Sequence, residues 1–116
     1  MQSVHPTGCE CFEAAGGPVN PEIIFSGVDT TNSNYGDVTL SKCTRCSTVW
    51  LRFFIEYESF SRSGRWYRAP IPPERLSEVT AESAISVLNS LEPRFAGGSY
   101  YDSTGFETKG RVSLQP

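Results

Sequence analysis

The fold turns on the run Thr48-Val49-Trp50-Leu51-Arg52-Phe53-Phe54-Ile55-Glu56-Tyr57-Glu58-Ser59-Phe60. Val49, Leu51, Phe53, Ile55 and Tyr57 recur at period two, the spacing that sets side chains on one face of a strand. Trp50, Arg52, Phe54, Glu56 and Glu58 fall on the other face, which reads as the wetter one with some aromatic surface. Residues 48–60 are therefore expected to form a half-buried strand. Ser61-Arg62-Ser63-Gly64 is turn chemistry, and Arg65-Trp66-Tyr67-Arg68-Ala69 pairs back as the second arm of a hairpin. Pro70, Pro72 and Pro73, which remove backbone donors, end that arm.

On the N-terminal side, 38–42 supplies a further strand, and Ile23-Ile24-Phe25 is a short strand candidate. Between them, 27–37 is dense in Asp, Asn, Ser, Thr and Gly and reads as a loop. Residues 1–22, rich in Gly, Pro and polar side chains, read as a loop without regular structure. After Pro73 the period changes: Leu76, Val79, Ala84, Ile85, Leu88 and Leu91 recur at three and four, with Thr80 as N-cap and Glu82 in the first turn. The helix is placed at about 80–91, stopped by Pro93. Residues 95–116 form a Gly-rich segment that reads as a loop with a last hairpin between Tyr100-Tyr101 and Val112-Ser113-Leu114. The expected fold is a small α+β domain over 1–116. It has antiparallel strands near 38–42, 48–60 and 65–70, a hairpin region over 38–70, and one packed α-helix.

The chain of 116 residues, 38% apolar, suits one domain and no second one. It is less apolar than the usual ~45–50% and too short for generous burial, so a crosslink would help it fold. Four cysteines in two tight pairs, Cys9/Cys11 and Cys43/Cys46, are the candidates. The net charge of −3 is unevenly spread. Residues 1–41 hold five acids and no Lys or Arg, whereas 42–75 hold seven basic residues against three acids. The middle is a basic, Arg-rich island in an acidic chain. The first residues lack the basic and apolar regions of a secretory signal, and no run is long and apolar enough to span a bilayer, so a cytoplasmic protein without a membrane partner is expected. In a reducing compartment paired cysteines more often bind metal or do redox chemistry than form structural disulfides.

Two short Cys-bearing turns, each giving two thiolates, match the tetrahedral donor set of zinc. Cys43-Thr44-Arg45-Cys46 has the two-residue spacer of a zinc knuckle; Cys9-Glu10-Cys11 has one residue between thiols and needs a more extended loop. These residues resemble a zinc ribbon of the rubredoxin-like kind, with Thr44 and Ser47 where rubredoxin-like knuckles carry Pro and Gly. The resemblance implies a structural Zn²⁺ held by Cys9, Cys11, Cys43 and Cys46, and names no activity. Four thiolates around one zinc leave the site at −2, which Lys42 and Arg45 are placed to offset, and leave no open position for water. Two disulfides, or a redox dithiol of Cys43 and Cys46, are the alternatives. The dithiol lacks the following helix that activates thioredoxin-type thiols.

Other candidates are fewer. His5, the only histidine, is a spare ligand or a loose terminal residue, and its singularity argues against triad hydrolases. Gly97, Gly98, Ser99, Tyr100 and Asp102 form a candidate ligand loop or a tyrosine-packed turn. Arg52, Phe54, Arg62, Arg65, Trp66 and Arg68 mix guanidinium and aromatic groups as interfaces do. The bland reading pairs those arginines with Glu56 and Glu58 and buries Trp66. The expected function is a non-enzymatic zinc protein acting on a protein partner, as an adaptor, inhibitor or immunity-type partner. The alternatives are a nucleic-acid-binding ribbon, against which the acidic pI near 5.1 counts, and a thiol redox protein.

Overall fold

The alternating run becomes β3 (Val49–Ile55), an inner strand of a six-stranded antiparallel sheet, seen in a computed structural model that describes residues 9–30, 36–57 and 60–112. β1 (Glu22–Asp29) and β2 (Gly36–Lys42) precede it, and β4 (Arg65–Pro70), β5 (Arg94–Gly98) and β6 (Ser103–Thr108) follow. Every strand pairs with its neighbour in sequence, so the sheet is a simple meander in the order β1 to β6.

Period two sorts the sheet into two faces, the first covered along its length and the second in part. On the first, Val38, Leu40, Leu51, Phe53, Ile55, Tyr67, Ala69 and Ala96 are buried under Val79, Ala84, Val87, Leu88 and Leu91. On the second, Trp50 and Phe95 are buried against Cys9, Cys11, Phe12 and Cys43, so the cysteine-bearing segment is itself a lid on the sheet. Trp50 is 1% exposed, the one residue of its face in β3 that departs from the expectation of a wetter side. Arg52, Phe54 and Trp66 on the same face are only half-buried, so beyond Trp50 and Phe95 it remains the wetter of the two.

The α+β expectation fails, and the fold is mainly β. The helix expected at 80–91 contracts to α1 (Ala84–Leu88), preceded by a 3-10 stretch at Pro73–Glu78. The hydroxyls explain part of this. Ser83 N–H donates to Thr80 Oγ1 at 3.1 Å and Thr80 N–H to Ser83 Oγ at 2.8 Å, a reciprocal cap that holds 81–83 as a turn. At the other end Arg94 reaches back to the carbonyls of Leu88 and Leu91, capping the chain as it leaves the helix. The period-three-and-four pattern thus marks a buried face of short turns, not one long helix.

The strands are also longer than expected on the N-terminal side. The loop expected over 27–37 is strand at both ends, since β1 runs to Asp29 and β2 starts at Gly36, and the short candidate at 23–25 grows to eight residues. Phe25 and Gly27 face Leu40 and Val38, so the core extends β1 through turn-forming residues. Residues 31–35 of that loop, His5, Glu58, Ser113 and Leu114 lie outside the described residues. A last hairpin is present, earlier in the chain than expected, as β5 and β6, with Trp66 lying across Gly97 where a Cβ would stand 2.6 Å from its ring.

Candidate metal centre and the arginine-bearing face

The connection between β2 and β3 folds into a tight knuckle. Cys43 N–H donates to Thr48 O at 2.8 Å and Ser47 N–H to Cys43 O at 2.7 Å, bringing Cys43 and Cys46 to one side. Ser47 has φ of +69°, the left-handed backbone that the glycine of a rubredoxin-like knuckle supplies without strain. The first pair sits on the 3-10 turn Glu10–Phe12, which lets a single-residue spacer present both sulfurs. Thr44 N–H to Val19 O at 3.0 Å ties the two segments together.

Among the described residues the four sulfurs of Cys9, Cys11, Cys43 and Cys46 lie within 4.8 Å of one another. Cys9 Sγ is 3.6 Å from Cys43 Sγ, and Cys11 Sγ is 3.5 Å from Cys46 Sγ. All four are free thiols, so the two-disulfide alternative is not the arrangement seen. A zinc–sulfur tetrahedron with bonds of about 2.3 Å has edges of about 3.8 Å, and the measured separations bracket that value. The surroundings fit a cation-bound thiolate cluster. Burial works against the Cys43 thiolate, yet the backbone N–H groups of Val19, Cys46 and Arg45 outweigh it and lower that thiol to about 6. Val19 N–H reaches Cys43 Sγ at 3.3 Å. Burial pushes Cys11 well up, against the pull of the Trp50 indole. That indole nitrogen is buried without closing a full hydrogen bond, and a Cys11 thiolate would give it an acceptor. Four packed sulfurs cannot all ionise alone, whereas a coordinated metal deprotonates its thiols outright.

The expected charge partners behave differently. Arg45 pairs with Glu10 at 2.9 Å on the exposed side of the two turns, linking them as a surface bridge of small energetic weight. Arg68 does more. It is 3% exposed, and its terminal nitrogens donate to Cys11 O at 2.7 Å and Glu13 O at 2.6 Å. Its guanidinium lies 4.3 Å from the Trp50 ring centre and 4.8 Å from that of Phe95. Burial lowers its pKa to about 10, with the Cys11 charge opposing that shift and the Arg52 charge adding to it.

The six residues expected to share one surface are dispersed. Arg52, Phe54, Trp66 and Arg68 stand on the second face, where Arg52 opposes Arg68 and Phe54 opposes Trp66. Arg65 points to the opposite face, is fully buried, and stacks 3.5 Å from the Tyr100 ring centre. Arg62 sits in the hairpin turn, 3.2 Å from Asp102. Among the described residues, Arg62 has its ion pair with Asp102 and neither Arg52 nor Arg68 has one with Glu56, and period two alone separates Arg65 from Trp66 and Arg68. In the glycine-rich segment Gly97 and Gly98 belong to β5, Ser99 Oγ accepts from Gly64 N–H at 3.0 Å, and Tyr100 N–H donates to Gly64 O at 2.9 Å. Tyr101 OH and Tyr67 OH share a hydrogen bond of 2.7 Å. The segment closes the β5–β6 hairpin onto the β3–β4 hairpin.

Sequence reasoning missed Phe12 and Phe95, which sandwich Trp50 at 5.0 and 6.0 Å, and Val19, which serves the thiolate through its backbone. A backbone donor leaves no trace in residue type. No family model, no curated protein and no solved structure matches the chain. Among the described residues, no helix is long and apolar enough to cross a membrane.

Proposed function

We propose that the chain is a non-enzymatic zinc-binding protein of zinc-ribbon-like local design, in which a structural four-cysteine zinc site pins the N-terminal segment over the sheet. The observation that carries this is the gathering of four free cysteine sulfurs within 4.8 Å. Zinc suits a closed set of four thiolates, and with every ligand a protein sulfur no position remains for a catalytic water. Arg68, held by the carbonyls beside the ligands, offsets part of the cluster's charge. The redox alternative is disfavoured because β3, and no helix, follows Cys46.

The partner of such a protein is another protein, met through the uncovered part of the second face at Arg52, Phe54 and Trp66. The nucleic-acid alternative loses ground because Arg65 and Arg68, two of the basic island's residues, are withdrawn into the fold. A nuclease-treated affinity capture from the native cell, comparing the wild type with Phe54→Asp, tests this. A protein retained by the wild type and lost with the variant supports the reading; equal retention by both, or capture of nucleic acid alone before nuclease, refutes it.

A further inference from the structure

We propose that the cleft between residues 15–18 and the second sheet face binds a phosphate-sized tetrahedral oxyanion, with Arg52 as its principal ligand and Arg68 at its floor. The cleft has a volume of about 210 Å³ and is bordered by Gly16, Gly17, Arg52, Trp66, Arg68 and Thr104. Arg52 and Arg68 are direct cross-strand partners. Like charges in that relation destabilise a sheet unless something of opposite sign lies between or beside them.

Among the described residues no ion pair does this, and the charges that act on the pair, the Cys11 thiol on Arg68 and Asp37 on Arg52, do so from a distance. The ion pairs there are Arg45 with Glu10, Arg62 with Asp102 and Arg75 with Glu78, none of them at the cleft. Arg52 is half-buried with its guanidinium 5.7 Å from the Phe54 ring centre, and Asp37, the nearest acid on the neighbouring strand, stays beyond ion-pair reach. Arg68 spends both terminal nitrogens on the carbonyls of Cys11 and Glu13, while its Nε is buried and has no hydrogen-bond partner. The cleft thus has a guanidinium without an ion pair on its wall and the positive charge of Arg68 beneath it.

The shape adds to this. A Cβ placed on Gly17 would meet nothing within 4 Å, so this part of the wall is open and free of side chains. Three lining residues carry donors: Arg52 with its half-buried guanidinium, Arg68 beneath it, and Thr104 with its hydroxyl. Donors on three separate residues suit the several oxygens of a phosphate better than the two coplanar oxygens of a carboxylate. Trp66 gives an apolar flank on which a ring carried by the phosphate can rest. The cleft shares Arg52 and Trp66 with the face proposed to meet a protein partner, and its anion binding does not require that partner. It needs only that 15–18 stay against the sheet, which the Arg68 bonds to Cys11 and Glu13 help to ensure.

The test is a titration of the zinc-loaded full chain at low salt with inorganic phosphate, phenyl phosphate and acetate, followed by calorimetry and by ¹H–¹⁵N spectra that include arginine Nε–H signals. Saturable phosphate binding that shifts the Arg52 and Arg68 Nε–H and the Gly16 and Gly17 amides is expected. Phenyl phosphate should bind more tightly than phosphate, and acetate at least tenfold more weakly. Arg52→Gln should weaken phosphate at least tenfold with zinc content unchanged. No saturation at tens of millimolar, shifts confined to other residues, equal binding of acetate, or full affinity in Arg52→Gln would each overturn the proposal. Zinc content measured in the same sample separates failure of the metal reading from failure of this one, and the wild-type spectra decide the matter even if the variant does not fold.

Discussion

Arg68 of the fourth strand donates to the backbone carbonyl of Cys11 at 2.7 Å, so a side chain of the sheet holds the segment that carries two of the four thiols. The same guanidinium packs on Trp50 and Phe95, which puts metal cluster, aromatic layer and sheet into one mechanical unit. Arg68→Lys keeps the charge but loses the fork that reaches two carbonyls at once. Hydrogen bonds from a charged group contribute about 1.5–3 kcal/mol each. The variant should lose roughly 2–4 kcal/mol in chemical denaturation and give up its metal to a chelator sooner. Unchanged stability and unchanged metal release would show that the arginine is only a filler of space.

Ser47 holds a left-handed backbone at φ of +69° in the knuckle. That conformation costs an L-residue about 1–2 kcal/mol, partly offset by the greater freedom a glycine has when unfolded. Ser47→Gly should therefore raise stability by about 0.5–1 kcal/mol without altering metal content. A thermal midpoint below that of the wild type would contradict this.

Burial, and then the hydrogen bond to Tyr67, push the Tyr101 phenol well above its ordinary range. The sign follows from linkage: the neutral phenol is favoured in the fold, so its stabilisation is whole below the unfolded value near 10 and declines as pH rises beyond it. Tyr101→Phe cannot ionise in the unfolded state. Its stability, measured by urea denaturation from pH 8 to 11, should fall less steeply above about pH 10 than that of the wild type. Parallel slopes would refute the assignment.

Much of this was readable in the chain, and the failures have physical reasons. The period-two run placed β3 and β4, because burial on one face imposes that pattern directly; β4 covers the expected 65–70, whereas β3 ends at Ile55, short of the expected 60. The cysteine pairs pointed at one another because two short Cys-bearing turns together make one tetrahedral donor set. β1 was underestimated because Ser26, Gly27 and Asp29 have turn chemistry, and pairing with β2 overrides local preference. The helix was overestimated because apolar residues at spacing three and four also arise where short turns cover a sheet. Arg65 and Arg68 were read as surface because isolated guanidiniums avoid burial; carbonyls and aromatic rings, invisible in composition, accept them here.

That the four cysteines hold one structural zinc is tested most directly by metal analysis of the purified chain with thiol counting. One zinc per chain is expected, with the thiols shielded from a thiol reagent until a chelator is added and the sheet lost with the metal. Cys11→Ser should carry no stoichiometric zinc. A chain that folds fully without metal, with four freely reactive thiols and Cys11→Ser as stable as the wild type, would contradict a structural zinc.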